Sequence, residues 1–315
     1  MRKLVCLLVG LMMVLTMVGA YAESTTGPHI GFAYNNANAD LYGTAYYNEL
    51  VRYAEEINAN LSLLDSAGDI PTQIRQIEDL IEQKVDVLIV WPNDVNSVFP
   101  GVKKASEAGI PVVVCQSLTE EAMQYVTAFV GADNYEEGVM IGEAVVAHFA
   151  DHPDTVNVVE VAHRSGILQA RERAAGFRAA IEGHNIEILE SHSAEGSRET
   201  ATQIMEGYIT KYGDDIDMVY NHGDSFAIGV LNAIKDAGKA GQFVVTGIAL
   251  NRESYERMET GELTYDVVES PLGSARTMLD TATAIGNGEE VPPIVHIPIE
   301  LVDQNNYMNV ERPTW

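Results

Sequence analysis

The chain has 315 residues, 46% of them hydrophobic, and sets 46 acidic side chains against 19 basic ones, a formal net charge of −27. That length and apolar content suffice for one large or two medium domains with cores of their own. So negative a balance argues against nucleic acid and anionic membrane surfaces as partners, because both require basic patches.

The first stretch reads as a targeting segment. Arg2 and Lys3 precede an apolar run over 4–18, and Ala20-Tyr21-Ala22 is a small-x-small cleavage site. The run is too short and wrongly flanked for a membrane span, so residues 1–22 are expected to be a secretory signal peptide cut after Ala22. Lipid anchoring is not expected, because Cys6 precedes most of the apolar run. Cleavage would remove two basic residues and no acidic one, leaving a net charge of −29 and Cys115 as the single cysteine. An exported chain without a disulfide needs a large core.

The next stretch sets the pattern. Residues 30–34 form a short apolar run that predicts a buried strand, and the Asn- and Asp-rich 35–40 predicts a turn. After Gly43 a helix is predicted, with Ala45, Leu50, Ala54 and Ile57 near one face. Strand, polar loop and helix then recur. Strands are predicted over 61–64, 85–90, 111–115 and 125–130, and helices over 72–83, 95–108 and 134–150. The alternation restarts with strands at 156–161, 186–189, 218–221 and 243–248 and helices at 169–182, 198–211 and 225–237. A short helix at 252–259, a strand at 263–268, a helix at 273–285 and extended chain at 294–302 close it. Continuous apolar strands alternating with helices predict an α/β fold: two similar doubly wound parallel-sheet lobes, close together because no Pro-, Gly- or Ser-rich linker parts them. Ligands of such sheets sit beside the loops at the carboxyl ends of the strands.

Within that frame several motifs stand out. Gln169-Ala170-Arg171-Glu172-Arg173-Ala174-Ala175-Gly176-Phe177 is similar to the "ARERxxGF" of type I periplasmic solute-binding proteins of the ribose-binding group. Gly131-Ala132-Asp133-Asn134 resembles that family's "ASDN", Gly223-Asp224-Ser225-Phe226-Ala227-Ile228-Gly229 its "NDxMAxG", and Ile110-Pro111-Val112-Val113 its "IPV". The resemblance runs over about 30–302. It implies two lobes joined by a three-strand hinge that close on a ligand: 27–131 plus 270–299, and 132–269 plus 300–315. Hinge crossings would fall near 131–132, 269–270 and 300–301.

The resemblance also implies a site. Asn38 and Tyr42 fall where the family uses an Asn and a ring-packing aromatic, and Arg171 on its ligand-binding Arg. Departures are many: Gln116-Ser117 replaces an Asp-Arg pair, Gly196 an aromatic, Gly223 an Asn, Ala249 an Asp and Glu269 the hinge Gln. A sugar identity therefore does not carry over, and D-ribose is expected to bind poorly. Trp91, after a predicted strand, offers an apolar face to a sugar, and His222, Asp224 and Glu269 offer polar groups. The expected ligand site is Asn38, Tyr42, Trp91, Gln116, Arg171, His222, Asp224 and Glu269.

Catalytic and metal signals are weak. The Gly-Asp-Ser at 223–225 lacks the late Asp-x-x-His of the hydrolases it superficially resembles. His148 and His152 have the spacing of a helix metal pair, but Pro153 follows and no third ligand is evident. No P-loop or dinucleotide fingerprint is present, so neither catalysis nor a cofactor is expected. The chain is read as a monomer that binds a small sugar or polyol and delivers it to an ABC permease. The alternative is a receptor that presents a ligand to a chemoreceptor or sensor kinase.

Overall fold

A computed structural model describes residues 27–38 and 41–315. The signal peptide expected over 1–22 lies outside the described residues. In chain order the elements are β1 (His29–Tyr34), α1 (Leu41–Glu56), β2 (Asn60–Asp65), α2 (Ile70–Glu82), β3 (Val87–Val90), α3 (Val95–Glu107), β4 (Val112–Cys115), α4 (Glu120–Met123) and β5 (Ala128–Gly131). There follow α5 (Asn134–His148), β6 (Val156–Ala162), α6 (Leu168–Ile181), β7 (Ile186–Ser193), α7 (Arg198–Tyr212), β8 (Met218–Asn221), α8 (Asp224–Asp236), β9 (Val244–Val245) and α9 (Arg252–Glu259). The chain ends with β10 (Tyr265–Glu269), α10 (Pro271–Gly286), β11 (Ile294–His296) and β12 (Ile299–Asp303).

Two sheets result. The first runs β11–β5–β4–β3–β1–β2, every pair parallel. The second runs β7–β6–β8–β9, also parallel. Single parallel bridges, Thr246–Tyr265 and Ala249–Val268, carry it on to β10, which pairs antiparallel with β12. Strands β3, β4, β5 and β8 are buried along their whole length, as their unbroken apolar sequences require when helices cover both faces. Each sheet accordingly has a separate apolar core on either side.

Local chemistry sets the helix starts. Asp69, Asp94, Asp133, Ser197 and Ser270 each cap a helix by accepting a backbone N–H of its first turn. Pro71 and Pro271 sit in first turns, where no N–H is required. The chain passes between the sheets three times: from β5 to α5, from β10 to α10, and from β11 to β12. The return helix α10 is fastened to α1 through Arg276 Nε, which donates to the buried Glu49 Oε1 at 2.6 Å.

The structure departs from the predicted pattern in several places, three of which have a clear local cause. The strand predicted over 125–130 starts only at Ala128, because Tyr125 and Val126 turn their N–H groups back to Ala122 and Met123 and close α4. The strand predicted over 243–248 is two residues long, since the chain enters positive φ at Ala249 (115°) and Leu250 (46°). The extended chain at 294–302 divides at Pro298, which has no N–H to donate. Ile299 already pairs with Glu269, so the third passage lies before the 300–301 expected.

Candidate functional site: a cavity between the sheets

A cavity of about 570 Å³ opens where the carboxyl ends of both sheets face each other. Its size lies in the range of small-molecule sites. The wall on the first sheet is aromatic. Trp91, one residue past β3, stands edge-on to Tyr34 and Tyr46, with ring centroids 5.0 and 4.9 Å away, and 6.4 Å from Tyr42. The buried Gln73 fixes its loop: Nε2 donates to the Trp91 carbonyl at 2.6 Å, and Oε1 accepts the Asn93 N–H at 2.8 Å. Gln116 directly follows β4 with φ of 63°, a left-handed conformation uncommon for a residue with a side chain. From there its Nε2 donates to the Tyr42 hydroxyl at 3.3 Å. That hydroxyl donates to Glu269 Oε1 at 3.0 Å and lies 3.1 Å from Ser274 Oγ, so Tyr42 spans from the first sheet to the end of β10. Burial, followed by the Glu269 charge, pushes its pKa well up and keeps the hydroxyl a donor.

The facing wall is built on a buried ion pair. Arg173 Nε donates to Glu137 Oε2 at 2.7 Å, its Nη1 to the His222 carbonyl at 2.7 Å, and its Nη2 lies 3.8 Å from Glu269 Oε2. The pair exists because α5 and α6 almost touch. A Cβ on Gly176 would lie 1.9 Å from the Tyr135 carbonyl oxygen, and one on Gly138 would lie 2.2 Å from that of Arg173. Only glycine permits such an approach. Burial pushes the Glu137 carboxyl up to about 7 against the opposing pull of Arg173. His222 is fully buried, and its Nε2 is 2.9 Å from Glu160 Oε1. Burial pushes Glu160 up, but the bonds from His222 and Arg178 outweigh it and hold the carboxyl down at about 2. Burial lowers His222, so the ring is neutral, donates from Nε2 and leaves Nδ1 as an acceptor with no protein partner. Burial and the neighbouring Arg173 also lower His163, to about 3, so it too is neutral.

Between these walls the strained turn at 249–250 rests on two acids. Asp224 Oδ2 accepts the Asn251 N–H at 2.5 Å, and Asp266 Oδ1 accepts that of Leu250 at 3.2 Å. Their other oxygens converge under Gly247, where a Cβ would lie 2.6 Å from Asp266 Oδ2 and 2.7 Å from Asp224 Oδ1. Two buried carboxyls so close share a proton. Burial pushes Asp224 up to about 6, and burial with the Asp224 charge pushes Asp266 well up.

Of the eight residues read from the sequence, the structure brings Tyr42, Trp91, Gln116, His222, Asp224 and Glu269 around this cavity. Two are corrected. Arg171 lies outside it, exposed on α6, 3.9 Å from Glu172 and bordering an adjoining recess with Leu118, Thr119 and His163, the last shared with the cavity. Two residues along a helix is about 200° around its axis, and it is Arg173 that faces inward. Asn38 is exposed in the turn after β1, where its N–H donates to Asn36 Oδ1 at 2.9 Å. It is not among the residues that line the cavity. Sequence reading missed Arg173 and Phe226, although quoted motifs contain both, and also His163, Asn251 and Trp315, which sit in no motif. His148 Nδ1 lies 3.0 Å from the Tyr265 hydroxyl, and His152 Nδ1 3.0 Å from the Asp154 carbonyl. Among the described residues no group of three or more His, Cys, Asp or Glu could hold a metal ion, and no helix is long and apolar enough to cross a membrane.

Residues 30–290 match the periplasmic binding protein domain family. The galactofuranose-binding protein of Escherichia coli is 33% identical over 224 residues, 69% of this chain and 70% of that one. The ribose import binding protein of the same organism is 26% identical over 250 residues, 79% of this chain and 82% of that one. Among solved structures, an ABC transporter solute-binding protein from Bacillus halodurans with bound myo-inositol superposes with a TM-score of 0.79 at 26% identity, covering 91% of this chain and 98% of that one.

Proposed function

Because the chain belongs to the periplasmic binding protein domain family, we propose that it is the solute-binding component of an ABC importer and carries a neutral monosaccharide or polyol to a membrane permease. The observation that carries this reading is the chemistry of the cavity. Arg173 lies between Glu137 and Glu269, so its charge is already matched, and both histidines are neutral. Arg198 at the cavity is likewise paired, with Glu253 at 2.9 Å, and the lining offers hydrogen-bonding groups on both walls, Gln116 beside the rings of Tyr42 and Trp91 and Arg173, His222, Asp224 and Glu269 facing them. Aromatic faces suit the C–H faces of a sugar or cyclic polyol, and the polar groups suit its hydroxyls. The galactofuranose, ribose and myo-inositol in the names of its relatives belong to the same class.

In this reading the lobes are 27–131 with 270–298 and 132–269 with 299–315, the third boundary moved before Ile299, and the protein works outside the cytoplasmic membrane, as a monomer without catalysis, after loss of residues 1–22. D-Ribose binds weakly, because Gln116, Ser117 and Ala249 stand where the ribose-binding group carries charged residues. Native mass spectrometry of freshly purified protein is expected to reveal a co-purified neutral saccharide or polyol. Calorimetry over D-ribose, D-galactose, D-allose, myo-inositol and their furanose relatives is expected to find at least one micromolar binder. A panel without any binder, or one in which D-ribose binds at submicromolar concentration, contradicts the ligand assignment made here.

A further inference from the structure

The segment after β12 lies outside both the matched residues 30–290 and the stretch that carries the family resemblance, yet it ends at the cavity. Its course is fixed by α9. Gln304 Nε2 donates to the Met258 carbonyl. The Tyr307 and Tyr255 rings meet edge to face at 5.3 Å. Arg312 donates from both terminal nitrogens to Glu259, at 3.0 and 3.1 Å, and lies 5.2 Å over the Tyr255 ring. Pro313 is buried, and the Arg252 N–H donates to the Trp315 carbonyl at 2.7 Å. These contacts deliver Trp315, 7% exposed, to the cavity wall beside Asp224 and Asn251. Its indole N–H is buried without an acceptor. A buried indole ordinarily finds a partner, and leaving a buried donor unpaired is unfavourable.

We propose that Trp315 is a ligand-contact residue. Its indole N–H donates to an oxygen of the bound saccharide or polyol, and its ring closes the second-sheet side of the cavity. The inference rests on the function proposed above and assigns that site a residue from outside the matched domain. It also explains the number of anchors on an irregular segment: they fix the height at which the indole meets the ligand.

The test uses the full mature chain, with D-ribose, D-galactose, D-allose and myo-inositol as probes. Whichever probe binds wild-type protein is titrated calorimetrically into Trp315→Phe, which keeps an aromatic ring without the N–H, and into Trp315→Ala. Thermal unfolding of the unliganded variants runs in parallel. Affinity is expected to fall about tenfold in Trp315→Phe and further in Trp315→Ala, consistent with loss of one buried hydrogen bond and then of the ring. The unliganded midpoint of Trp315→Phe is expected to stay within a few degrees of wild type. Wild-type affinity in a folded Trp315→Phe removes the hydrogen bond, and wild-type affinity in both variants overturns the proposal while leaving the solute-binding reading intact. Failure of every probe to bind wild type overturns that reading, and this inference falls with it.

Discussion

Arg171 and Arg173 make one discriminating pair. They share a motif and a helix, but only Arg173 enters the cavity, bonded to Glu137 and the His222 carbonyl. Arg173→Ala is expected to abolish measurable binding and to lower stability by about 3–5 kcal/mol, because Glu137 is left buried without its partner. Arg171→Ala is expected to bind within about twofold of wild type and to unfold at an unchanged temperature, since exposed charges contribute little. Titration calorimetry and thermal denaturation of the two variants check both; a reversed order would restore Arg171 to the site. The motif was legible in the sequence. Which arginine faces the ligand was not, because that depends on the phase of α6, set by its contact with α5. The Asp224–Asp266 pair was equally hidden, as the two acids are far apart in the chain and meet only under Gly247. Both carboxyls are raised by burial, so the folded state binds more protons than the unfolded chain. Their contribution to stability is therefore present below the ordinary carboxylate pKa of about 4 and is lost as pH rises through about 6. Asp266→Asn keeps a donor toward Asp224 but cannot titrate. Between pH 4 and 7 the midpoint of wild type is expected to fall relative to that of Asp266→Asn; parallel curves would refute a shared proton.

At the scale of elements, the close contact of α5 with α6 controls the site. Gly176→Ala would drive a methyl group into the Tyr135 carbonyl, which lies 1.9 Å from where the Cβ must go. The helices must separate, at about 1–3 kcal/mol or more, and Arg173 then moves away from Glu137. A lowered melting temperature is expected together with weakened ligand binding, and Arg171→Ala, exposed on the same helix, serves as a comparison that spares the contact. Full ligand affinity in Gly176→Ala would detach the helix contact from the site. Strands and helices themselves were largely readable, because buried parallel strands and Asp or Ser caps leave strong local signals. The errors fall where a tertiary contact overrides local pattern. The sequence after β9 reads as a continuing strand, but the turn over Asp224 and Asp266 takes the chain out of the sheet at Gly247–Leu250.

For the whole molecule, three passages of chain join two sheets that share one cavity. Passages of this kind are hinges in which a few residues absorb the rotation of two rigid bodies. A saturating ligand is expected to reduce the radius of gyration measured by small-angle scattering, since the Tyr42–Glu269 bond already links the faces and the ligand adds further bonds across them. An unchanged radius would argue for a site that binds without closure. The two-sheet architecture was legible because alternation extends along the whole chain. The composition of the cavity was only partly so: positions 42, 91, 116, 173, 222, 269 and 315 converge through strand order, which a linear pattern does not encode.

The chain contains two tryptophans, Trp91 and Trp315, and both border the cavity, one from each side. The ultraviolet emission of this protein is therefore a spectrum of its binding cleft, undiluted by indoles elsewhere in the fold. A solute that displaces water from the cleft shifts that emission with no label attached. Trp315→Phe leaves the signal of the first-sheet wall alone, and Trp91→Phe that of the opposite wall. Stopped-flow traces of the two variants would thus time the arrival of solute at each face separately, and show which face it meets first.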